Sequence, residues 1–415
     1  MRIGIQGWGS EGDVRPLLAL AAELRGRGHE VRLVLSPIDG VDYVAIGRTY
    51  GLDVRVVPEG TALSLQAIVE AAQSKDPSKL SRAVLEQGFY PQLDAMYAAA
   101  IDLCAQSDVV VGLFSSWYVK AACQKTGTPF ACVHYYPGFV ASRDTPPAGF
   151  PAWRWLNPIS WSLVGALMNM AFLGPAAKFF ARHGLPAPRA ALTDLLMSDR
   201  LNLHATSPTL FPPPPDRSGA HPICGDFVFP ESAEAWTPPP ALQAFLDAGD
   251  PPVLVSFGTH ELLAPERAYA LVAAASRLAG VRVLYQTKCA TAAKAGDEQV
   301  HVLRWAPHRI LAPACSAMVL HGGAGTTHAA LRAGLPAVVL PFIVEQRLWG
   351  GLLHRAGGAV RPLSFWKATP KKLAERLREA VTGEAVKRRA RELAEAVREE
   401  KGVARASEAV ERMGR

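Results

Sequence analysis

The run Ala317-Met318-Val319-Leu320-His321-Gly322-Gly323-Ala324-Gly325-Thr326-Thr327 decides the fold. Its opening apolar residues predict a short buried strand, its glycines a turn that admits close backbone approach, and its threonines the first turn of a helix. A strand that passes through glycines directly into a helix is the first half of a parallel crossover, and the next strand is predicted at 337–340. Free N–H groups at such a helix start hold phosphate oxygens. No Gly-Lys-Ser/Thr follows, so the turn is not a Walker loop. A glycine turn is also simple geometry. His321 and the hydroxyls of Thr326 and Thr327, able to donate to a diphosphate, carry the functional reading.

Working outward, the same alternation fills the chain. Further strands are predicted at 253–257, 281–286 and 300–304 in the second half, and at 2–6, 30–35, 54–57, 109–113, 130–134 and 201–205 in the first, with a helix over 15–27. Alternation of this kind gives a parallel, doubly wound sheet in each half. Between them, residues 208–252 carry Pro212 to Pro215, Pro238 to Pro240 and Pro251-Pro252, a stiff connector. The expected division is therefore 1–207, a linker at 208–252, a second α/β domain at 253–395, and a helical tail at 396–415 that packs back on the first domain.

Composition narrows the functions. A chain of 415 residues, 49% hydrophobic and 20% charged, exceeds one ordinary core. The net charge of +7 is spread without a dense basic tract, which suits an anionic small molecule or a membrane surface and gives nucleic acid no support. The six cysteines form no CxxC and no zinc spacing with histidine, so a reduced, cytoplasmic protein and no metal site are expected. Residues 161–181 are the most membrane-like, but polar residues and Pro175 interrupt them; they read as a greasy wall or surface helix, which leaves a peripheral membrane contact open.

The first loop, Gly7-Trp8-Gly9-Ser10-Glu11-Gly12, satisfies GxGxxG between a strand and a helix. A nicotinamide enzyme then needs an acidic residue at the end of the second strand. This chain has Ser36-Pro37 there, and Asp39 comes after the proline. Asp13 closes the loop: helix capping is its plain role, and general base is the alternative. In the second half, Ser256, Gly258 and Thr259 end one strand at the same carboxyl edge as His321, Gly323, Gly325 and Thr326. Trp305 ends another, where a tryptophan is core or a platform for a flat base in equal measure. Glu345 and Gln346 offer acceptors and donors to vicinal sugar hydroxyls, or form a solvated loop. Between Phe114 and Leu173 lies a dense aromatic and thioether set, including Trp117, His134, Tyr135, Phe139 and Trp161; half is assigned to core and the rest to the wall of a bulky apolar acceptor.

Taken in order, Gly9-Ser10-Glu11-Gly12-Asp13-Val14, Arg27-Gly28-His29, Ser256-Phe257-Gly258-Thr259, Trp305-Ala306-Pro307-His308, the turn 321–327, Arg332-Ala333-Gly334-Leu335-Pro336 and Glu345-Gln346 resemble the nucleotide-sugar-dependent glycosyltransferases of the GT-B fold, in the branch of sterol, glycopeptide, macrolide and rhamnosyl transferases. The resemblance covers nearly the whole chain. It implies two Rossmann-like domains facing a cleft, the first for the acceptor and the second for the donor. It also implies Asp13 as catalytic base, a diphosphate held by His321, Gly323, Gly325 and Thr326, a uracil or thymine on Trp305, and a sugar at Glu345 and Gln346; Ser256, Gly258 and Thr259 are expected at the same donor site from their place at a strand end. No cofactor is implied, the UDP- or TDP-sugar being a co-substrate, and the transfer is expected to invert and to need no metal. Glu11, His260 and Glu345 depart from the residues usual at those places. An NAD(P)-dependent oxidoreductase, a sugar-nucleotide epimerase and a non-catalytic nucleotide-sugar-binding partner protein are the rival classes; the sugar, the acceptor and the oligomeric state are left open.

Overall fold

Residues 2–9 form a central strand buried on both faces, Ile3 and Ile5 on one and Gly4 and Gln6 on the other, with a parallel neighbour on either side. The computed structural model describes the chain except residues 59–83, 137, 139, 148, 149, 152, 217, 218, 231–235, 288, 290–297 and 415, and the side chains of 84 and 344. Arg2–Gly9 (β1) pairs with Glu30–Pro37 (β2) and with Val109–Leu113 (β4); Asp53–Val56 (β3), Phe130–His134 (β5) and Leu201–His204 (β6) complete the sheet in the order β3-β2-β1-β4-β5-β6. A second parallel sheet, ordered β11-β10-β7-β8-β9, is made of Val253–Ser256 (β7), Val283–Gln286 (β8), Val300–Leu303 (β9), Ala317–Leu320 (β10) and Ala337–Val339 (β11).

Every strand expected from the pattern forms, and the differences lie at the ends. β1 runs on to Gly9 because Gly7, Trp8 and Gly9 pair with Leu35, Ser36 and Pro37. The helix expected from residue 15 starts at Glu11, since Ser10 already accepts the Val14 N–H and the Asp13 side chain takes the Ser10 N–H. In each sheet the order reverses beside the first strand, between β1 and β4 and between β7 and β10. Ligands of open parallel sheets bind outside the carboxyl ends of strands at such points.

The described chain forms two compact units, one from Met1 to Phe229 together with Lys401–Arg415, the other over Pro230–Glu400. The proline-rich stretch is not one connector. Its first part stays with the first unit, where Ile223 bridges His204 beside β6. Its second part starts the helix Pro240–Asp247, whose first turn tolerates proline because that N–H has no intrahelical acceptor. The terminal helix Gly402–Met413 belongs to the first unit: Ala406 and Val410 are buried, Glu411 meets His29 at 2.9 Å and Arg27 at 3.4 Å, and Gly402 lies against the backbone of Gly225 and Asp226.

Candidate active site

The first functional loop is built by the way β1 ends. Gly9 has φ +145°, and a Cβ there would collide with the Asp13 carboxylate, so only glycine leaves room for that side chain. Asp13 Oδ2 accepts from the Ser10 N–H at 2.9 Å and from the Ser10 hydroxyl at 3.2 Å. Capping is thus observed, and it uses one oxygen. Oδ1 has no hydrogen-bond partner among the described residues. Burial pushes the Asp13 carboxyl up to about 6, against the Ser10 hydrogen bonds that favour the ionised form, with the Asp39 charge adding to the rise. Tyr135 Oη donates to the Asp13 carbonyl at 2.6 Å and pins the turn from β5. A carboxylate whose proton affinity approaches neutrality, with one oxygen uncommitted, is equipped to take a proton from a hydroxyl.

The second functional turn follows β10. His321 is buried, and Gly322, at φ +91°, carries the chain around it: a Cβ there would come within 2.7 Å of the Gln346 carbonyl. A Cβ on Gly323 would collide with the His321 ring, so this glycine lets the imidazole lie against the helix start. Gly325 is different. A Cβ there meets nothing within 4 Å, so its small size serves no internal packing. Gly323 caps the helix Ala324–Ala333, and Thr326 Oγ1 donates to the Gly323 carbonyl at 3.2 Å. From the end of β7, buried Ser256 presents its backbone to His321, while Gly258 and Thr259 are exposed. His260 stacks on His321 with ring centroids 5.0 Å apart. Burial and the neighbouring imidazoles hold His321 well below its ordinary range, so it is neutral.

The two helix starts are electrostatic opposites. Glu11 and Asp13 occupy the first turn of Glu11–Gly26, and the Asp13 carboxylate takes the N–H that a phosphate would want. The first turn of Ala324–Ala333 carries no acidic residue. A diphosphate is therefore repelled by the first and attracted by the second. The oxidoreductase reading fails on the same facts, and Ser36, where a ribose-binding carboxylate is needed, donates its hydroxyl to the Val57 carbonyl.

Known proteins are similar to this chain over nearly its whole length. A family profile described as the erythromycin biosynthesis protein CIII-like, C-terminal domain, matches residues 281–410. Across 99% of its length and 97% of the relative, the chain is 30% identical to O-mycaminosyltylonolide 6-deoxyallosyltransferase of Streptomyces fradiae. The chain belongs to the UDP-glycosyltransferase superfamily. It is 29% identical to vancomycin aglycone glucosyltransferase of Amycolatopsis orientalis, over 87% of this chain and 85% of that one. Among solved structures, the glycotransferase of kitacinnamycin superposes with a TM-score of 0.72 at 22% identity (99% and 98% covered), and the glycosyltransferase VinC, in complex with DTDP, with 0.67 at 18% (100% and 99% covered). These likenesses give the glycosyltransferase its GT-B fold.

Several expected site residues of this glycosyltransferase have other duties. Gln346 is buried, and its Oε1 accepts from the Phe342 N–H at 2.8 Å and the Ile343 N–H at 3.2 Å, holding the turn before the helix Val344–Ala356; only its amide nitrogen has no partner among the described residues. Glu345 is exposed in the first turn of that helix. Trp305 is 38% exposed at the end of β9, which fits a stacking platform better than a core position.

On the acceptor side the corrections are larger. Trp117 is packed among Phe89, Phe179 and Phe180 in the core. His134 is fully buried, bonded to Asn202 at 3.1 Å and stacked 4.9 Å from His204. Trp161 is buried and donates Nε1 to the Thr145 carbonyl at 2.9 Å. Tyr135 is spent on the Asp13 turn. None of these four faces outward: each is buried and held by ring contacts or a hydrogen bond within the first unit. Phe139 lies outside the described residues. The exposed apolar surface is elsewhere, on the helix Asn157–Arg182 and just before it: Trp153, Trp155, Ile159, Leu163, Leu167 and Met170. The spacing of the last four, recurring every three or four residues, was the signal for one open helical face.

Proposed function

We propose that this glycosyltransferase moves a hexose from a UDP- or TDP-sugar to a hydroxyl of a hydrophobic acceptor, a macrolide, another polyketide or a sterol, with inversion at the anomeric carbon. The observation that carries the reading is the acid-free start of Ala324–Ala333 beside a buried, neutral His321, set against the acid-bearing start of Glu11–Gly26. In the reaction, Asp13 Oδ1 takes the proton of the acceptor hydroxyl. The acceptor oxygen forms its bond to the anomeric carbon as the bond from that carbon to the phosphate oxygen breaks, and the electron pair leaves on the diphosphate. N–H groups at 323–326, aimed by the helix, stabilise that charge, the office that a divalent cation fills elsewhere. Macrolide and glycopeptide relatives and a DTDP-bound neighbour support the substrate classes. Incubation with UDP- and TDP-sugars and a panel of apolar alcohols, read by mass spectrometry and by the anomeric proton coupling of the product, tests the proposal; retention of configuration or hydrolysis without transfer refutes it.

The open face of Asn157–Arg182 supports a peripheral membrane contact. That helix carries no acidic residue, ends in Lys178 and Arg182, and begins beside the stacked pair Trp153 and Trp155, rings suited to a headgroup layer. Co-sedimentation with vesicles of phosphatidylcholine and phosphatidylglycerol, lost on Leu163→Glu with Leu167→Glu, is the check. A cytoplasmic setting is proposed on the six unpaired cysteines.

A further inference from the structure

We propose that His260 and His321 act as one proton-binding unit of the donor site, so that a nucleotide sugar binds together with a proton that the empty site does not hold. The proposal rests on the reading of the His321 turn as the diphosphate site and adds a residue to it. His260 comes from the turn after β7, His321 from the turn after β10, and the two rings lie nearly parallel, 22° apart in plane at 5.0 Å between centroids. Nδ1 of each ring is buried without a hydrogen-bond partner among the described residues. Two neutral rings stacked with idle nitrogens beside an anion-attracting helix start are an incomplete arrangement. An arriving diphosphate completes it by making a shared imidazolium favourable.

The surroundings keep the pair neutral when the site is empty. Burial lowers His260 to about 4 and His321 well below its ordinary value, and His308, from the helix His308–Leu311, disfavours the charge further. The acidic neighbour in sequence, Glu261, accepts from Tyr285 Oη at 2.7 Å and is buried toward β8. Beyond Phe342, at 6.4 Å from His260, the helix Val344–Ala356 begins with Glu345, and neither ring feels a carboxylate strongly enough to offset its burial. A diphosphate within about 5 Å raises the proton affinity of an imidazole roughly a hundredfold. That moves the pair from about 4 toward the range in which it holds a proton in mildly acidic solution. By linkage the proton strengthens donor binding as much as the donor strengthens proton binding.

Titration calorimetry with UDP-glucose and TDP-glucose, whose diphosphates do not titrate between pH 5 and 8, measures this directly. In buffers of different ionisation enthalpy at pH 5.5, uptake of roughly 0.7 proton per ligand is expected, with Kd about fourfold weaker at pH 7.5. His260→Phe, which keeps a ring to stack on His321 and Phe342, is expected to abolish the uptake and flatten the pH dependence; His260→Gln checks the result in a second, polar background. Binding without uptake, or uptake unchanged in both variants, overturns the proposal and leaves the donor-site reading standing. Absence of binding by either nucleotide sugar to the wild-type chain overturns both.

Discussion

Replacing Asp13 by asparagine separates the proposed catalysis from folding, because the same burial that suits Asp13 to the proposed role of base makes it a strain on the native state. A folded-state value of about 6 against 3.8 for a free side chain corresponds to about 3 kcal/mol of unfavourable ionisation. The side chain retains some solvent contact, so this is a ceiling, and about 1.5 kcal/mol is a reasonable floor. The sign follows from the raised value. Well below the unfolded value of 3.8 the carboxyl is protonated in both states and the penalty is absent, and at pH 4 little of it has developed. It grows as pH rises toward 6 and is fully present above. Asp13→Asn keeps the shape and an oxygen for the Ser10 N–H, so the variant should be more stable than wild type at pH 8 by about 1.5–3 kcal/mol, and close to equal at pH 4. A gain of that size moves the melting temperature up by several degrees. Transfer should fall by about a thousandfold, with nucleotide-sugar affinity unchanged. Urea denaturation at both pH values, calorimetric donor titration and product mass spectrometry read the outcomes. A variant less stable at pH 8, or one that transfers at the wild-type rate, refutes the reasoning; so does a wild-type kcat/KM that does not decline as pH falls below about 6.

Gly9→Ala should push the Asp13 carboxylate out of place and strain a positive φ, lowering kcat while leaving donor affinity intact and costing about 1–3 kcal/mol in denaturant midpoint experiments. Trp305→Ala should weaken nucleotide affinity by about tenfold in calorimetry without a change in melting temperature, since the ring is a surface platform. Gly325→Val should leave the fold intact, because no protein atom is near, but block the diphosphate, seen as loss of donor binding with unchanged circular dichroism. Chelation with EDTA should leave the rate of transfer unchanged, the leaving group being held by helix N–H groups.

Much of the fold was legible because both sheets are parallel and buried on both faces. Strands such as β4, β5 and β10 therefore appear as uninterrupted apolar runs, and the glycine turns after β1 and β10 mark the switch to helix. The Asp13 turn was legible as a helix start for the same local reason: Asp13 lies four residues beyond Gly9, within the span of one first turn. The exposed apolar face was not. Aromatic content does not say which way a ring points, and Trp117 and Trp161 are held inward by Phe179 and by the Thr145 carbonyl, partners distant in sequence that only folding brings near. Gln346 was half legible, since an amide after a buried strand can bind a ligand or close the turn on itself, and here its oxygen does the latter.

His260 shows the limit of local reading most clearly. In sequence it is a departure from the usual residue after Thr259, with 60 residues between it and His321. The topology removes that separation: β7 and β10 are hydrogen-bonded neighbours with Ser256 opposite Leu320, so the residues leaving their carboxyl ends emerge side by side. The reversal of strand order that makes this crevice also delivers the imidazoles to it from two turns. In the first unit the reversal lies between β1 and β4, and the helix start that bears a carboxylate follows β1, the first strand, rather than the strand across the reversal. The two helix starts thus carry opposite charge preferences, an acid-bearing one after β1 and an acid-free glycine turn after β10, and the proposed division between proton abstraction and leaving-group binding follows that difference.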